Sequence, residues 1–300
     1  MDDLFPRTEL ALPRPARPIA PLGQLGAYEA LWTRERTTFK SLARLFREHP
    51  GALPSDLVPQ READEHRRKA LDLADAAGVI ELGVSVHRMP AYPQRLRSAA
   101  HPVEVLYYQG DLSLLGCRCI AIAGTRQPSE EGARRAAYLA RRLAKGGFVV
   151  LSGLAQGIDT AAHLAVIESG GKTAAVLGTP LTECYPPANS DLQRRLASEC
   201  LLVSQVPIVR YERQSVEVNR QFFRERNATL AALAEAVVLV EAGDRSGALI
   251  AARHALDQGR KVFIFDECFR RRALAWPGRL VSRGAIRVRD PDDIEKRLVP

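Results

Sequence analysis

From residue 103 to residue 289, short apolar runs alternate with Ala- and Arg-rich stretches of helical period, and this alternation constrains the fold more than any other feature of the chain. Runs such as 148–151 and 237–240 are apolar without interruption. Strands of that kind are buried on both faces, which implies a parallel sheet covered by helices. The pattern predicts strands at 103–108, 118–123, 147–152, 173–178, 200–204, 235–241, 261–265 and 285–289. Between them it predicts helices near 129–145, 158–169, 189–198, 218–232 and 247–258. The fold class that follows is α/β: an extended Rossmann-like, mostly parallel, doubly wound sheet.

The N-terminal part reads differently. Residues 1–25 carry Pro6, Pro13, Pro15, Pro18 and Pro21 with little periodicity, which predicts a disordered or extended tail. From Tyr28 the spacing of Leu31, Phe39, Leu42, Leu45 and Phe46 turns helical, until His49-Pro50-Gly51 ends it. A second helix is expected over 63–77, with Gly78 as its stop. The expected organisation is a small helical domain over 26–85, followed by a Rossmann-like domain over 86–300.

Composition excludes several classes. At 46% hydrophobic and 26% charged residues the chain is ordinary globular protein. No apolar run approaches the ~18 residues of a membrane span, and Met1–Glu9 has no basic segment followed by an apolar one. Five scattered cysteines without a CxxC pair point to reduced thiols in a cytoplasm, and they argue against a zinc ribbon. The net charge is +8. The segment 260–289 holds nine Arg or Lys residues against Asp266 and Glu267, so it alone carries +7. A basic stretch of this kind suits a polyanion, or it is a solvated arginine-rich face.

In an open parallel sheet, ligands bind where strand ends lead into helix N-termini. Four such loops stand out. Gly124-Thr125-Arg126 follows an apolar strand, with Ser129 as the expected N-cap of the next helix. Glu130 and Glu131 fill the first turn of that helix and repel a pyrophosphate, and GxGxxG is absent, so NAD and FAD are disfavoured. Ser152-Gly153 and Gly157 form a second loop, whose exposed N–H groups could cradle phosphate. There Asp159 is expected to cap the helix with His163 as its partner one turn on, in preference to acid–base catalysis. In the third loop Tyr185 either stacks on a base or, the favoured reading, packs beneath the loop; Cys184 is expected to be an inert thiol, and Asn189 to open a helix. The fourth pairs Arg226-Asn227 with Ser246-Gly247, a combination suited to phosphate and base edges.

The order and spacing of these stretches resemble the DprA (Smf) family of DNA-processing proteins. The residues that carry the resemblance are Ala91-Tyr92-Pro93 with Leu96, Pro102, Leu106-Tyr107, Gly110-Asp111, Gly124-Thr125-Arg126 and Ser152-Gly153-Leu154-Ala155. They continue through Gly157-Ile158-Asp159, His163, Val176-Leu177-Gly178, Tyr185-Pro186, Asn189, Phe222, Arg226-Asn227, Val240-Glu241-Ala242, Ser246-Gly247 and Gly284-Ala285. The chain departs from the family pattern at Gln156 and Ala228, where the family often has arginine, and at Gln205, Ala251-Ala252 and 266–270. The resemblance implies single-stranded DNA binding by a homodimer in DNA uptake and recombination, with loading of RecA, no catalytic reaction, and neither cofactor nor metal. Within that implication, the expected DNA- or phosphate-binding residues are Gly124, Thr125, Arg126, Ser152, Gly153, Gly157, Asn189, Arg226, Asn227, Ser246 and Gly247. Arg270, Arg271, Arg272 and Arg283 form an expected auxiliary basic patch. The C-terminal winged helix of many members is not expected here. The alternative reading is a nucleotide-sensing or nucleotide-processing protein of the wider superfamily. A further one is a degenerate paralogue that acts as an interaction module.

Overall fold

The computed structural model describes residues 18–99, 102–270 and 274–298. The first helices are α1 (Pro21–Thr33), α2 (Phe39–Glu48) and α3 (Gln60–Ala76). Helix α1 begins inside the stretch expected to be an extended tail. Pro21 sits at its first turn, where a missing N–H costs nothing and a fixed φ favours the helix. Leu25, Tyr28, Leu31 and Trp32 then supply a fully buried face. Thr38 caps α2 by accepting from the Ser41 N–H, and the Ser41 hydroxyl accepts from the Thr38 N–H in return.

Strand β1 (Gly83–Val86), helix α4 (Gln94–Arg97) and strand β2 (Val105–Gly110) follow. The alternating units are β3 (Cys119–Ala123), α5 (Glu130–Lys145), β4 (Val149–Ser152), α6 (Ile158–Glu168), β5 (Thr173–Leu177), α7 (Ser190–Glu199) and β6 (Leu201–Ser204). After α8 (Ile208–Arg213) and the long α9 (Val216–Leu233) come β7 (Ala236–Leu239), α10 (Ala248–Asp257) and β8 (Lys261–Phe265). Helices α11 (Glu267–Arg270) and α12 (Trp276–Val281), strand β9 (Ile286–Val288) and helix α13 (Pro291–Leu298) end the described chain.

All nine strands form one sheet in the order β1-β2-β6-β5-β4-β3-β7-β8-β9. Eight of these described strands point the same way, and β2, beside the edge strand β1, runs antiparallel to both of its neighbours, β1 and β6. Strand β1 lies within the stretch expected to be purely helical. Its sequence Gly-Val-Ser-Val is too short for a period to show, yet Val84 and Val86 are buried against the core.

The N-terminal helices share that core with the sheet, and a buried carboxylate ties the two together. Glu29 of α1 accepts from the Tyr107 hydroxyl at 2.7 Å and from the N–H groups of Ile208 and Val209 at 2.8 and 2.9 Å. Those N–H groups open α8, so a helix end that would otherwise be unsatisfied is held by a side chain 179 positions away. Burial pushes the Glu29 carboxyl above its ordinary value, and its three donors oppose that shift.

The strand order reverses between β4, β3 and β7. A crossover of this kind leaves the carboxyl ends of neighbouring strands open between diverging helices.

Candidate functional site

At that reversal a crevice of about 740 Å³ opens. Gly124, Thr125 and Arg126 after β3 line one side, and Ala155 and Asp159 lie beside them. Arg220, Phe223, Arg224, Arg226 and Asn227 of α9 form a second wall, and Gly243, Arg245, Ser246 and Gly247 before α10 form a third. Tyr185 overhangs the opening.

Five arginines therefore face one acidic side chain, Asp159, which is itself buried. Arg126, Arg220, Arg224 and Arg245 are exposed, and none makes an ion pair among the described residues. An exposed, unneutralised cluster of guanidiniums around a concavity concentrates positive potential there and draws in anions. Three of these arginines, Arg220, Arg224 and Arg245, were not expected from the sequence. A signal was present for two of them: Arg220, Phe223, Arg224 and Asn227 recur at three- and four-residue intervals on one face of α9.

Arg226 is the fifth, and it is not a surface residue. It is 6% exposed, and its Nη1 donates to the carbonyls of Gly153 at 2.5 Å and Val176 at 2.7 Å, while its Nε donates to Asn227 Oδ1 at 3.1 Å. Asn227 continues the chain of bonds by donating to the Gly247 carbonyl at 3.2 Å. One guanidinium thus joins the end of β4, the end of β5, α9 and the approach to α10. The absence of a side chain at residue 153 makes this possible, because a Cβ there would lie 2.1 Å from Arg226 Nη1. Burial pulls Arg226 below its ordinary pKa, with Asp159 opposing and Arg126 adding to that fall.

The expected residues divide into two groups. Gly124, Thr125, Arg126, Arg226, Asn227, Ser246 and Gly247 line the crevice. Ser152, Gly153, Gly157 and Asn189 stand behind its wall. The Ser152 hydroxyl is fully buried and donates to the Ile122 carbonyl. Gly157 takes φ +82°, with Thr125 O only 2.5 Å from where a Cβ would sit. Asn189 donates to the Leu154 carbonyl and to the Thr160 hydroxyl, both at 2.9 Å. These four residues shape the loops that present the lining.

Other expectations are corrected. Asp159 and His163 are not partners. Asp159 accepts from the N–H groups of Gly153 and Ala155, outside its own helix, whereas the His163 ring bonds the Thr173 hydroxyl at 2.8 Å. Desolvation, with the charge of Arg226 adding to it, pushes the His163 pKa down to about 3, so the ring is neutral, and it does not line the crevice. Tyr185 does not pack beneath its loop. It is 46% exposed, meets Phe223 edge-on at 5.3 Å, and has the Arg126 guanidinium 5.8 Å from its ring centroid. Asn189 precedes α7, as expected, without a side-chain bond to its N-terminal N–H groups.

Of the expected auxiliary patch, Arg270 and Arg283 are described, and neither lines the crevice. Arg283 pairs with Asp257 at 2.6 Å, at the end of α10 remote from the crevice. Arg270 lies 4.0 Å from Asp266, which also holds Arg287. Arg271 and Arg272 lie outside the described residues. Charge read from sequence alone counts Arg283 as available, whereas the fold gives it Asp257 as a partner; Arg270 stays largely exposed. Among the described residues no group of His, Cys, Asp or Glu side chains is placed to hold a metal ion.

Comparison with known proteins agrees with the fold and the motif order. The family model described as DNA recombination-mediator protein A matches residues 83–299. DNA processing protein DprA of Bacillus subtilis is 33% identical over 208 residues, covering 69% of this chain and 68% of that protein. Protein Smf of Synechocystis is 39% identical over 178 residues, covering 58% of this chain and 43% of that protein. The matched region thus spans between about two fifths and two thirds of these relatives. Among solved structures, DNA processing protein A from Streptococcus pneumoniae superposes with a TM-score of 0.69 at 26% identity, covering 93% of this chain and 98% of that one. The structure describing the single-stranded DNA binding mode of DNA processing protein A from Helicobacter pylori gives 0.60 at 26% identity, covering 73% and 97%.

Proposed function

The chain belongs to the DNA recombination-mediator protein A family, and from that premise we propose that the crevice binds single-stranded DNA, without catalysing a reaction on it. The observation that carries this reading is the set of four exposed, unpaired arginines around a concavity that also presents the Tyr185 ring. Guanidiniums take backbone phosphates by charge-assisted bonds, and an exposed aromatic ring takes an unpaired base by stacking. A duplex offers no unpaired base, and the one helix that brings arginines to the crevice, α9, is a wall of the concavity beside loops rather than a helix set to enter a groove. Arg226 holds the crevice together, while Arg126, Arg220, Arg224 and Arg245 meet the strand.

The role we assign, from the family resemblance, is DNA processing in uptake and recombination, in the cytoplasm, as a homodimer that passes the strand to RecA. Among the described residues no helix is long and apolar enough to cross a membrane.

Competition between labelled oligo(dT), unlabelled duplex and free nucleotides at about 0.15 M salt tests the reading. Displacement by single strands well before duplex or mononucleotide is expected. Equal affinity for duplex would overturn it. Tight binding of a mononucleotide at the crevice with no affinity for oligo(dT) would favour the nucleotide-sensing alternative.

A further inference from the structure

A second cavity of about 590 Å³ lies at the far edge of the sheet, between α2, the end of β1 and the start of β2. Strand β1 runs parallel to β6, because each pairs antiparallel with β2. The residues that follow β1 and precede β2 therefore stand at the carboxyl edge of the sheet, as the crevice loops do. Arg47, Arg88 and Arg97 line this cavity, together with His87, Phe46 and Glu104.

Three features mark it as a built site. None of the three arginines makes an ion pair among the described residues. Arg97 spends one nitrogen on the Met89 carbonyl and Arg88 spends one on the Gly51 carbonyl, which fixes both heads while leaving donors over. Glu104 is 7% exposed and lines the cavity, with Arg88 as the charge acting on its carboxyl. His87 Nε2 and Arg97 Nε, on residues that line the cavity, are buried without a hydrogen-bond partner. Buried polar groups are almost always satisfied in a folded protein, so a cluster of orphans around one cavity points to a ligand that carries the missing partners. Burial raises the Glu104 pKa to about 7, opposed by Arg88. That shift reports how far the carboxyl is from water.

We propose that this cavity is a nucleotide site, in which Arg47, Arg88 and Arg97 take the phosphate and Glu104 takes N–H groups of the base. The ligand needs an anion at one end and hydrogen-bond donors at the other, and a nucleotide supplies both. A carboxylate accepts best from two adjacent N–H groups, so guanine ranks first among the bases. The nucleotide is either free or one unit of a strand that runs along the carboxyl edge from the crevice.

The test is calorimetric titration of the full chain with dGMP, dAMP, dCMP, dTMP and inorganic phosphate, beside oligo(dT) and oligo(dG) binding. The variants are Arg47→Glu, Glu104→Gln and, for the crevice, Arg126→Ala. Arg47 is exposed on α2, so its variant is expected to fold. For a free nucleotide, dGMP binds most tightly, Arg47→Glu weakens it at least tenfold, Arg126→Ala leaves it unchanged, and Glu104→Gln erases the ranking of bases without affecting phosphate. For a strand, mononucleotides bind weakly, and Arg47→Glu instead lowers oligonucleotide affinity several-fold, with oligo(dG) losing its advantage in Glu104→Gln. The proposal fails if Arg47→Glu changes neither measurement, or if mononucleotide binding is lost in Arg126→Ala alone. It also fails if phosphate binds as well as any nucleotide and Glu104→Gln changes nothing.

Discussion

Replacing Arg226 by alanine separates the residue that builds the crevice from those that use it. The substitution leaves the carbonyls of Gly153 and Val176 buried without the donor that now reaches both. An acceptor stranded in this way costs about 1–3 kcal/mol, so the pair costs about 2–6 kcal/mol before any cavity term. Asp159 also loses the neighbouring charge that opposes its desolvation. A central value of about 4 kcal/mol corresponds to a fall in Tm of about 8–16 °C for a chain of this size. Arg126→Ala makes the contrast, because Arg126 is exposed and unpaired among the described residues. Its stability is expected to stay within about 0.5 kcal/mol of the parent, while oligo(dT) affinity falls by about 1–3 kcal/mol. Scanning calorimetry and fluorescence anisotropy on the two variants read both quantities. An Arg226→Ala protein that melts within about 2 °C of the parent would refute the reasoning, since the paired carbonyls could not then be stranded.

Two further outcomes follow from the same geometry. Tyr185→Ala is expected to weaken single-strand binding by about 1–3 kcal/mol with little loss of stability, because the exposed ring holds a base rather than a core; anisotropy with unchanged melting checks it, and unchanged affinity would return Tyr185 to a packing role. His163 has a pKa pushed down to about 3 in the fold, so the unfolded chain takes up a proton that the folded chain refuses. Its contribution is full above about pH 6.5 and declines as pH falls toward 3; urea denaturation of His163→Gln should show a flatter stability profile between pH 6.5 and 4 than the parent, and parallel profiles would contradict the assignment.

Much of the fold was legible because buried parallel strands announce themselves as apolar runs, as β3 to β8 do, and the alternation with helices located β2 and the short β9 beside them. The exception, β1, is four residues long and contributes two buried valines, too few to separate from a helix end. Helix α1 was hidden by Pro21, whose reading as extended chain holds everywhere except at a helix start. The crevice was legible as an order of loops but not as a set of roles. Nothing local to Arg226 reveals that Gly153 and Val176, 73 and 50 positions earlier, bring their carbonyls to it. A four-residue spacing placed Asp159 and His163 on one face, but Thr173 from the next strand took the histidine. The basic stretch from 260 to 289 was legible as charge but not as a set of pairings. The count of charge over that stretch included Asp266 but could not show that it holds Arg287, or that Asp257, just outside the stretch, holds Arg283.

The most direct test of the crevice as a single-strand site is the salt dependence of oligo(dT) binding in a triple variant, Arg126→Ala, Arg220→Ala and Arg245→Ala. The logarithm of the binding constant falls against the logarithm of salt with a slope of about −0.7 for each phosphate neutralised on a single strand. Removing three phosphate-facing charges is expected to shrink that slope by up to about two units, while Arg283→Ala, paired with Asp257, leaves it unchanged. A triple variant with the parent's affinity and slope, and the parent's melting temperature, would contradict the account.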